Sequence, residues 1–168
     1  MSIINKTIIS LILILFPFSL RAEEVKKVGK FKDWETMVLT KSDGIVCFAQ
    51  SKPVLQSPKT NKRDSRLFVT FRPNEKIVDE ISLTAGYEFN KQNSITAKSG
   101  KFKYKFHISQ ENFAWIADIK VERKMIRTMK KGSRIMISGY NSSGSQTIDH
   151  YSLLGFTKAY NEAKKSCS

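Results

Sequence analysis

The stretch that decides the fold is Lys101–Ile108, which reads KFKYKFHI. Apolar and basic residues alternate along it, Phe102, Tyr104, Phe106 and Ile108 against Lys101, Lys103, Lys105 and His107. Successive side chains of a β-strand point to opposite faces of the sheet. We therefore expect the apolar set to face a core and the basic set to face solvent.

The same period of two recurs along the chain. Leu67, Val69 and Phe71 alternate with Arg66, Phe68, Thr70 and Arg72, and Ile135 and Ile137 alternate with Arg134, Met136 and Ser138. Further candidate strands are Phe31–Leu39, Ile45–Gln50, Ile77–Leu83, Ala114–Ile119 and Thr147–Tyr151. Many short strands separated by Gly, Pro, Asn and Ser turns predict an all-β antiparallel sandwich. The Pro- and Lys-rich segment Lys52–Asp64 predicts a long exposed loop.

Two segments have helical spacing instead. Val121, Met125 and Met129 recur every four residues and predict one apolar stripe. Phe156–Lys165 predicts a C-terminal helix, whose apolar face would consist of Phe156, Ala159, Tyr160 and Ala163. Trp34 and Trp115 lie in candidate strands and are expected in the core.

The N-terminus has the layout of a secretory signal peptide. Lys6 precedes the apolar run Ile8–Phe16, and Ala22 offers a small residue for cleavage. The alternative, a membrane anchor, needs about 20 apolar residues, roughly twice this run. We predict a signal peptide over 1–22 and a single domain over 23–168.

The chain has two cysteines, Cys47 and Cys167. Because an exported chain meets an oxidising environment, we predict a structural disulfide between them. Two cysteines and two scattered histidines show no paired ligand spacing, so neither a metal site nor a cofactor is expected.

Basic residues dominate the charge. The chain carries 29 Lys and Arg against 15 Asp and Glu, and removing the signal segment with its Lys6 and Arg21 lowers the net charge from +14 to +12. The candidate anion-binding face consists of Lys101, Lys103, Lys105, Arg66, Arg72 and Arg134. Expected partners are anionic lipid, lipopolysaccharide, acidic glycan or an acidic envelope or host protein. Nucleic acid is not expected, because an exported protein rarely meets it. The alternative is a generally basic, solvated surface.

No catalytic constellation stands out. Asp149 and His150 are adjacent on a candidate strand, so their side chains point to opposite faces and cannot form a triad with Ser152. His150 is expected to be a polar surface or turn residue, and His107 to be solvated. The acidic residues Glu75, Asp79 and Glu80 are expected to be solvated charges.

The C-terminal third has a distinctive pattern. The pattern consists of Gly132–Gly139, Gly144 and Asp149–Ala159, and it ends at Cys167. Further characteristic residues lie earlier in the chain: Asp33-Trp34, Cys47 with Gln50, Val69–Pro73, Gly86-Tyr87 with Phe89, and Ala114-Trp115. In order and spacing these residues resemble the invasion-associated locus B family, exported proteins of α-proteobacteria. The resemblance covers nearly the whole mature chain. It implies an immunoglobulin-like β-sandwich in the periplasm or outer envelope, with no known catalytic residues.

One departure from the family concerns the cysteines. Relatives often carry a Cys shortly after the Trp of the Asp-Trp motif, whereas Glu35–Val38 contains none. The resemblance thus implies either that one bridge is absent or that Cys47 has a different partner here.

Together these observations predict a non-enzymatic exported envelope protein that binds an anionic or protein partner at the cell envelope or host surface. It would be periplasmic, associated with the outer envelope or secreted, and peripheral to a membrane at most. The alternative is a periplasmic structural or chaperone-like subunit that acts through protein contacts, by pairing of an edge strand.

Overall fold

The computed structural model describes residues 23–59 and 62–168, so the predicted signal peptide lies outside the described residues. One antiparallel sheet has seven strands, in the spatial order β1 (Glu24–Phe31), β2 (Trp34–Lys41), β3 (Gly44–Ser51), β5 (Arg66–Arg72), β6 (Ile77–Thr84), β10 (Phe113–Trp115) and β9 (Ile108–Gln110). The other has five, in the order β4 (Leu55–Ser57), β12 (Gln146–Ser152), β11 (Arg134–Tyr140), β7 (Ile95–Ser99) and β8 (Phe102–Phe106). Helix α1 spans Ile119–Lys131 and helix α2 spans Phe156–Ser166.

A single hydrophobic core joins the two sheets and both helices. It contains Leu67 and Ile81 of the larger sheet, Ile135 of the smaller one, Met125 of α1 and Phe156 of α2, each at most 1% exposed. The arrangement confirms the predicted fold class, an antiparallel β-sandwich with a C-terminal helix. Burying these side chains is the main source of stability.

The decisive stretch Lys101–Ile108 is only partly as predicted. Tyr104 and Phe106 are buried, but Phe102 is 39% exposed and Ile108 50% exposed. Phe102 follows a hairpin turn at the end of the sandwich. The chain leaves the smaller sheet after Phe106, and Ile108 opens β9 of the other sheet. The prediction of an inward-facing side chain is therefore wrong at both ends of the stretch.

Several predicted boundaries also shift. The predicted strand Phe31–Leu39 is wrong as one element: β1 and β2 are joined by a turn at Lys32, whose φ is 56°. The predicted strand Ala114–Ile119 ends at Trp115, because the Asp118 side chain accepts a hydrogen bond from the Lys120 N–H and caps α1. The predicted loop Lys52–Asp64 contains β4.

Both predicted helical faces are confirmed. Met125 and Met129 of α1 are buried, and Val121 packs against the core from its edge. In α2 the buried set is the predicted one: Phe156, Ala159, Tyr160 and Ala163. The helix lies on the inner face of the larger sheet, where the Thr36 hydroxyl donates to the Ala159 carbonyl at 2.9 Å.

The two tryptophans have different environments. Trp34 is fully buried, as predicted. Its ring meets that of Phe156 edge-on, with the ring centres 4.8 Å apart, and its indole N–H donates to the Ser152 carbonyl. Trp115 is partly exposed on the outer face of the larger sheet, where it stacks on Phe113. Only its neighbour Ala114 points into the core, so the prediction of a buried Trp115 is wrong.

The approach of α2 to the first hairpin requires a glycine. Gly155 precedes α2 with φ of 92°, in the left-handed region that side chains disfavour. A Cβ atom there would lie 1.8 Å from the Phe31 carbonyl oxygen. No other residue type lets the chain enter α2 so close to β1.

The structure joins Cys47 of β3 to Cys167 after α2, with Cα atoms 5.8 Å apart. This is the predicted pairing. The bridge ties the last residues of the chain to the middle of the larger sheet, 120 positions earlier.

One buried carboxyl group links α1 to the larger sheet. Strand β10 pairs with β6 only at Ser82–Thr84, so Ile81 has no neighbour on that side of β6 from β10. Glu122 of α1, 6% exposed, accepts a hydrogen bond from the Ile81 N–H at 2.8 Å. Burial raises the pKa of Glu122 to about 7, and the nearby carboxylates of Glu80 and Asp79 add to the shift. Asp79 is itself buried and Glu80 partly so, so the prediction of solvated charges is wrong for Asp79.

This carboxyl group should make stability depend on pH. Because the pKa of Glu122 is about 7 in the folded chain and 4.5 is its ordinary value, its contribution is complete below pH 4.5 and is lost as pH rises through 7. The loss is about 3 kcal/mol by pH 8. We expect Glu122→Gln to remove this contribution, so that the free energy of unfolding, measured with urea, differs less between pH 5 and pH 8 than in the wild type. Exposed Glu24→Gln is the control; an unchanged pH profile in Glu122→Gln would contradict the assignment.

Candidate functional site, a basic groove

An open groove of about 970 Å³ lies where the smaller sheet meets α1. The turn between β7 and β8 forms one end, the exposed side of α1 forms one wall, and the first residues of β11 form the other. Six of its lining residues are Lys or Arg and none is Asp or Glu: Lys98, Lys101, Lys124, Arg127, Lys131 and Arg134.

The cations stand on two rims. Lys124, Arg127 and Lys131 follow one another at spacings of three and four residues, so they share one face of α1. Lys98, Lys101 and Arg134 come from the sheet side. An anion in the groove would therefore meet positive charge from both sides.

Apolar and neutral side chains lie between the rims. Register places Met136 of β11 between Lys98 of β7 and His150 of β12 on the outer face of the smaller sheet. Phe102 lines the same groove and is 39% exposed. The Lys101 ammonium lies 5.8 Å from the centre of the Phe102 ring. The groove thus combines cationic rims with a partly apolar floor.

The six cations have no acidic partner within the described chain. The ion pairs between described residues involve other cations: Lys27, Lys30, Lys41, Lys52, Arg63, Arg66, Arg72 and Arg123. Like charges held this close raise the local potential and attract anions. The groove therefore gathers six cations whose charge no carboxylate of the described residues neutralises.

Partly buried hydrogen bonds hold the walls in place. Ser99 of the hairpin donates to the Arg134 carbonyl at 2.8 Å, and the hydroxyls of Tyr104 and Thr128 lie 2.6 Å apart, which joins β8 to α1. Gly132 lets these elements meet, because a Cβ atom there would lie 3.0 Å from Leu153 and 3.1 Å from the Ser99 hydroxyl. The rims are thus carried on a preformed frame.

The structure divides the six predicted anion-binding residues into three groups. Lys101 and Arg134 line the groove. Lys103 and Lys105 are exposed on β8 beside it, with Lys103 opposite Lys98 in the register. Arg66 and Arg72 lie on the larger sheet, where Arg66 pairs with Asp64 at 3.3 Å and Arg72 with Glu80 at 2.8 Å. The predicted face is therefore not one continuous surface.

Sequence reasoning missed most of the groove. Lys98 belongs to β7, which was not predicted, although Ile95, Ala97 and Ser99 alternate with Thr96 and Lys98 in its sequence. The basic side of α1 was noticed, but nothing local indicates that it faces the β7–β8 turn. That approach depends on contacts between distant parts of the chain, such as Tyr104 with Thr128.

Residues Asp149 and His150 point to opposite faces, as predicted. Asp149 is buried and pairs with Arg63, while His150 is partly exposed and lines the basic groove. His107 is exposed. Within residues 23–59 and 62–168, no three His, Cys, Asp or Glu residues are placed to hold a metal ion.

None of the helices in the described part of the chain is long and apolar enough to cross a membrane.

Fold and groove together define the class: a disulfide-linked β-sandwich that presents a basic, non-acidic groove. The chain belongs to the invasion associated locus B (IalB) protein family, whose model matches residues 34–164. This confirms the resemblance seen in the sequence. The family comprises exported bacterial proteins and is not a known enzyme family. No curated protein and no solved structure matches the chain.

Proposed function

We propose that this protein is a non-enzymatic exported binding protein that holds an anionic partner in the basic groove, at the cell envelope or at a host surface. The observation that carries the proposal is the set of six Lys and Arg side chains lining one groove that contains no acidic residue. Phosphate and carboxylate groups are the chemistry that such a site recognises. Anionic lipid, lipopolysaccharide and acidic glycan all present these groups.

A groove that gathers cations supports the proposal of anion binding more strongly than a dispersed basic surface would. Burying or concentrating cations without counter-charges costs free energy, because the like charges repel one another. Folding retains this arrangement although carboxylates neutralise Arg66 and Arg72 elsewhere on the chain. A bound anion would offset the repulsion.

A second candidate function is partnership with another protein by edge-strand pairing. Strand β1 is an exposed eight-residue edge of the larger sheet. Its lysines Lys26, Lys27 and Lys30 and its register shift between Lys27 and Gly29 are features that resist such pairing. We therefore rank this function below anion binding.

The test is a charge reversal within the groove. We expect Lys98→Glu, Lys101→Glu and Arg127→Glu together to weaken binding to vesicles of phosphatidylglycerol and phosphatidylcholine by roughly 100-fold or more, since each lost cation removes about 1 kcal/mol near an anionic surface and each new carboxylate adds repulsion. Wild-type binding should weaken as salt rises, because the screening length is about 10 Å at 0.1 M. Co-sedimentation at two salt concentrations measures both effects, and thermal melting reports folding.

The matched control makes the same change of charge elsewhere. Lys26, Lys91 and Lys158 are exposed and lie outside the groove. Their replacement by Glu lowers the net charge equally and should weaken binding less than tenfold, through the general field alone. Equal losses in the two triple variants would contradict the groove and support a diffusely basic surface.

A further inference from the structure

The outer face of the larger sheet carries a band of apolar side chains that no helix or strand among residues 23–59 and 62–168 covers. Its members, all partly or largely exposed, are Met37, Leu39, Val46, Phe48, Phe68, Ile108, Phe113 and Trp115. Register places them on one face: Met37 lies opposite Phe48, and Trp115 lies opposite Ile108. Both helices pack on the other face, where Thr36 bonds α2 and Ile81 meets α1. We call this surface the outer apolar face.

The aromatic members form ordered clusters. The rings of Phe48 and Phe68, on neighbouring strands, meet edge-on with their centres 5.9 Å apart. The rings of Phe113 and Trp115 are stacked, with their centres 5.6 Å apart. Such contacts fix the rings and leave one side of each towards solvent. Contiguous exposed apolar patches on a folded chain mark contact sites.

Charges on this face are neutralised locally, unlike those of the basic groove. Lys27 lies 3.0 Å from Glu35, Arg66 pairs with Asp64, and Arg72 contacts both Glu75 and Glu80. The hydrogen bond from Lys27 holds the pKa of Glu35 below its ordinary value, so Glu35 carries its negative charge at neutral pH. The face therefore presents apolar side chains between balanced charges.

We propose that a second copy of this chain covers the outer apolar face, so that two sandwiches pack sheet against sheet. Two chains of the same strong positive charge repel each other, and a charge-balanced face is the surface on which they can meet without that cost. Two sheets pack face to face at about 10 Å through interdigitating side chains.

The whole outer face of the larger sheet, including β1 and β6, which carry none of these apolar residues, is close in area to a specific interface. Five long strands at about 4.8 Å spacing and about 24 Å length, with the short β10 and β9 beside them, give roughly 700 Å² per chain. Specific interfaces bury about 800 Å² per partner. A two-fold arrangement through this face would leave both basic grooves open, on opposite far sides of the dimer.

Sedimentation of the full mature chain tests the proposal. We expect a dimer fraction that rises with protein concentration between roughly 1 and 300 µM and persists at high salt, since the contact is apolar. Phe68→Lys, on the central strand, should give a monomer, whereas Phe68→Leu should keep the dimer. Phe113→Lys, at a 38% exposed position, provides a second disruption if Phe68→Lys melts early.

Several results would overturn the proposal. A wild-type chain that stays monomeric over the whole range excludes it, as does a dimer that survives both lysine variants. A monomer that binds uncharged phosphatidylcholine vesicles, and loses that binding in Phe68→Lys, would assign the face to lipid instead. The groove triple variant should still dimerise, so failure of the anion site and failure of the dimer are distinguishable.

Discussion

Replacing Cys47 and Cys167 by serine is expected to lower the free energy of unfolding by about 4–5 kcal/mol, on the entropy of closing a loop this long. The bridge spans 120 positions of sequence. It also anchors α2, whose 11 residues are too few to form a stable helix in isolation. Urea unfolding of the oxidised wild type and of the double variant measures the difference.

Two features make this result specific. Reduction of the wild type with dithiothreitol should reproduce the double-serine variant, because both remove the same covalent link. Single-serine variants should lose as much as the double variant. A loss below about 1 kcal/mol would show that α2 is held by packing alone, through buried Phe156 and Tyr160.

Breaking the buried ion pair between Arg63 and Asp149 is expected to cost about 3–5 kcal/mol, because it leaves one charge in the interior without its partner. The two side chains are each 7% exposed. Arg63 also donates to the Ser57 carbonyl of β4, so the pair links the segment after β4 to β12. Arg63→Met tests this by urea unfolding.

A double variant separates the energy of the interaction between the two side chains from the effects of each substitution alone. Arg63→Met with Asp149→Leu removes both charges and should recover most of the stability, since apolar residues can replace a buried pair at little cost. Asp149→Leu alone should be as harmful as Arg63→Met alone. Additive losses in the double variant would show that the two residues act independently.

The sequence predicted correctly the elements in which the spacing of apolar residues alone determines which side chains are buried. The apolar spacing of α2 identified all four of its buried residues, and the alternation of β5 identified Leu67, Val69 and Phe71. Strand β1 was missed because its residues are almost all exposed, so no period-two burial marks it. Strand β4 was missed because it has three residues and depends on β12 for pairing.

The candidate site was predicted less well, for a topological reason. Alternation tells which side of a strand faces the core, but it does not tell to which sheet the strand belongs. Arg66 and Lys103 both face outward, yet they lie on different sheets. Arg63 was predicted to be in an exposed loop, and its burial depends on Asp149, 86 positions away. Contacts between distant parts of the chain determine both which sheet a strand joins and whether Arg63 is buried.

The most direct test of the basic groove is a map of where a compact polyanion binds. We predict that inositol hexakisphosphate, titrated into the ¹⁵N-labelled protein, shifts the amide resonances of Lys98–Phe102, of residues 124–132 in and after α1, and of Arg134 more than any others. Exposed lysines outside the groove, Lys26, Lys91 and Lys158, should move little. Shifts of similar size at all these lysines would contradict the groove as a specific anion-binding site.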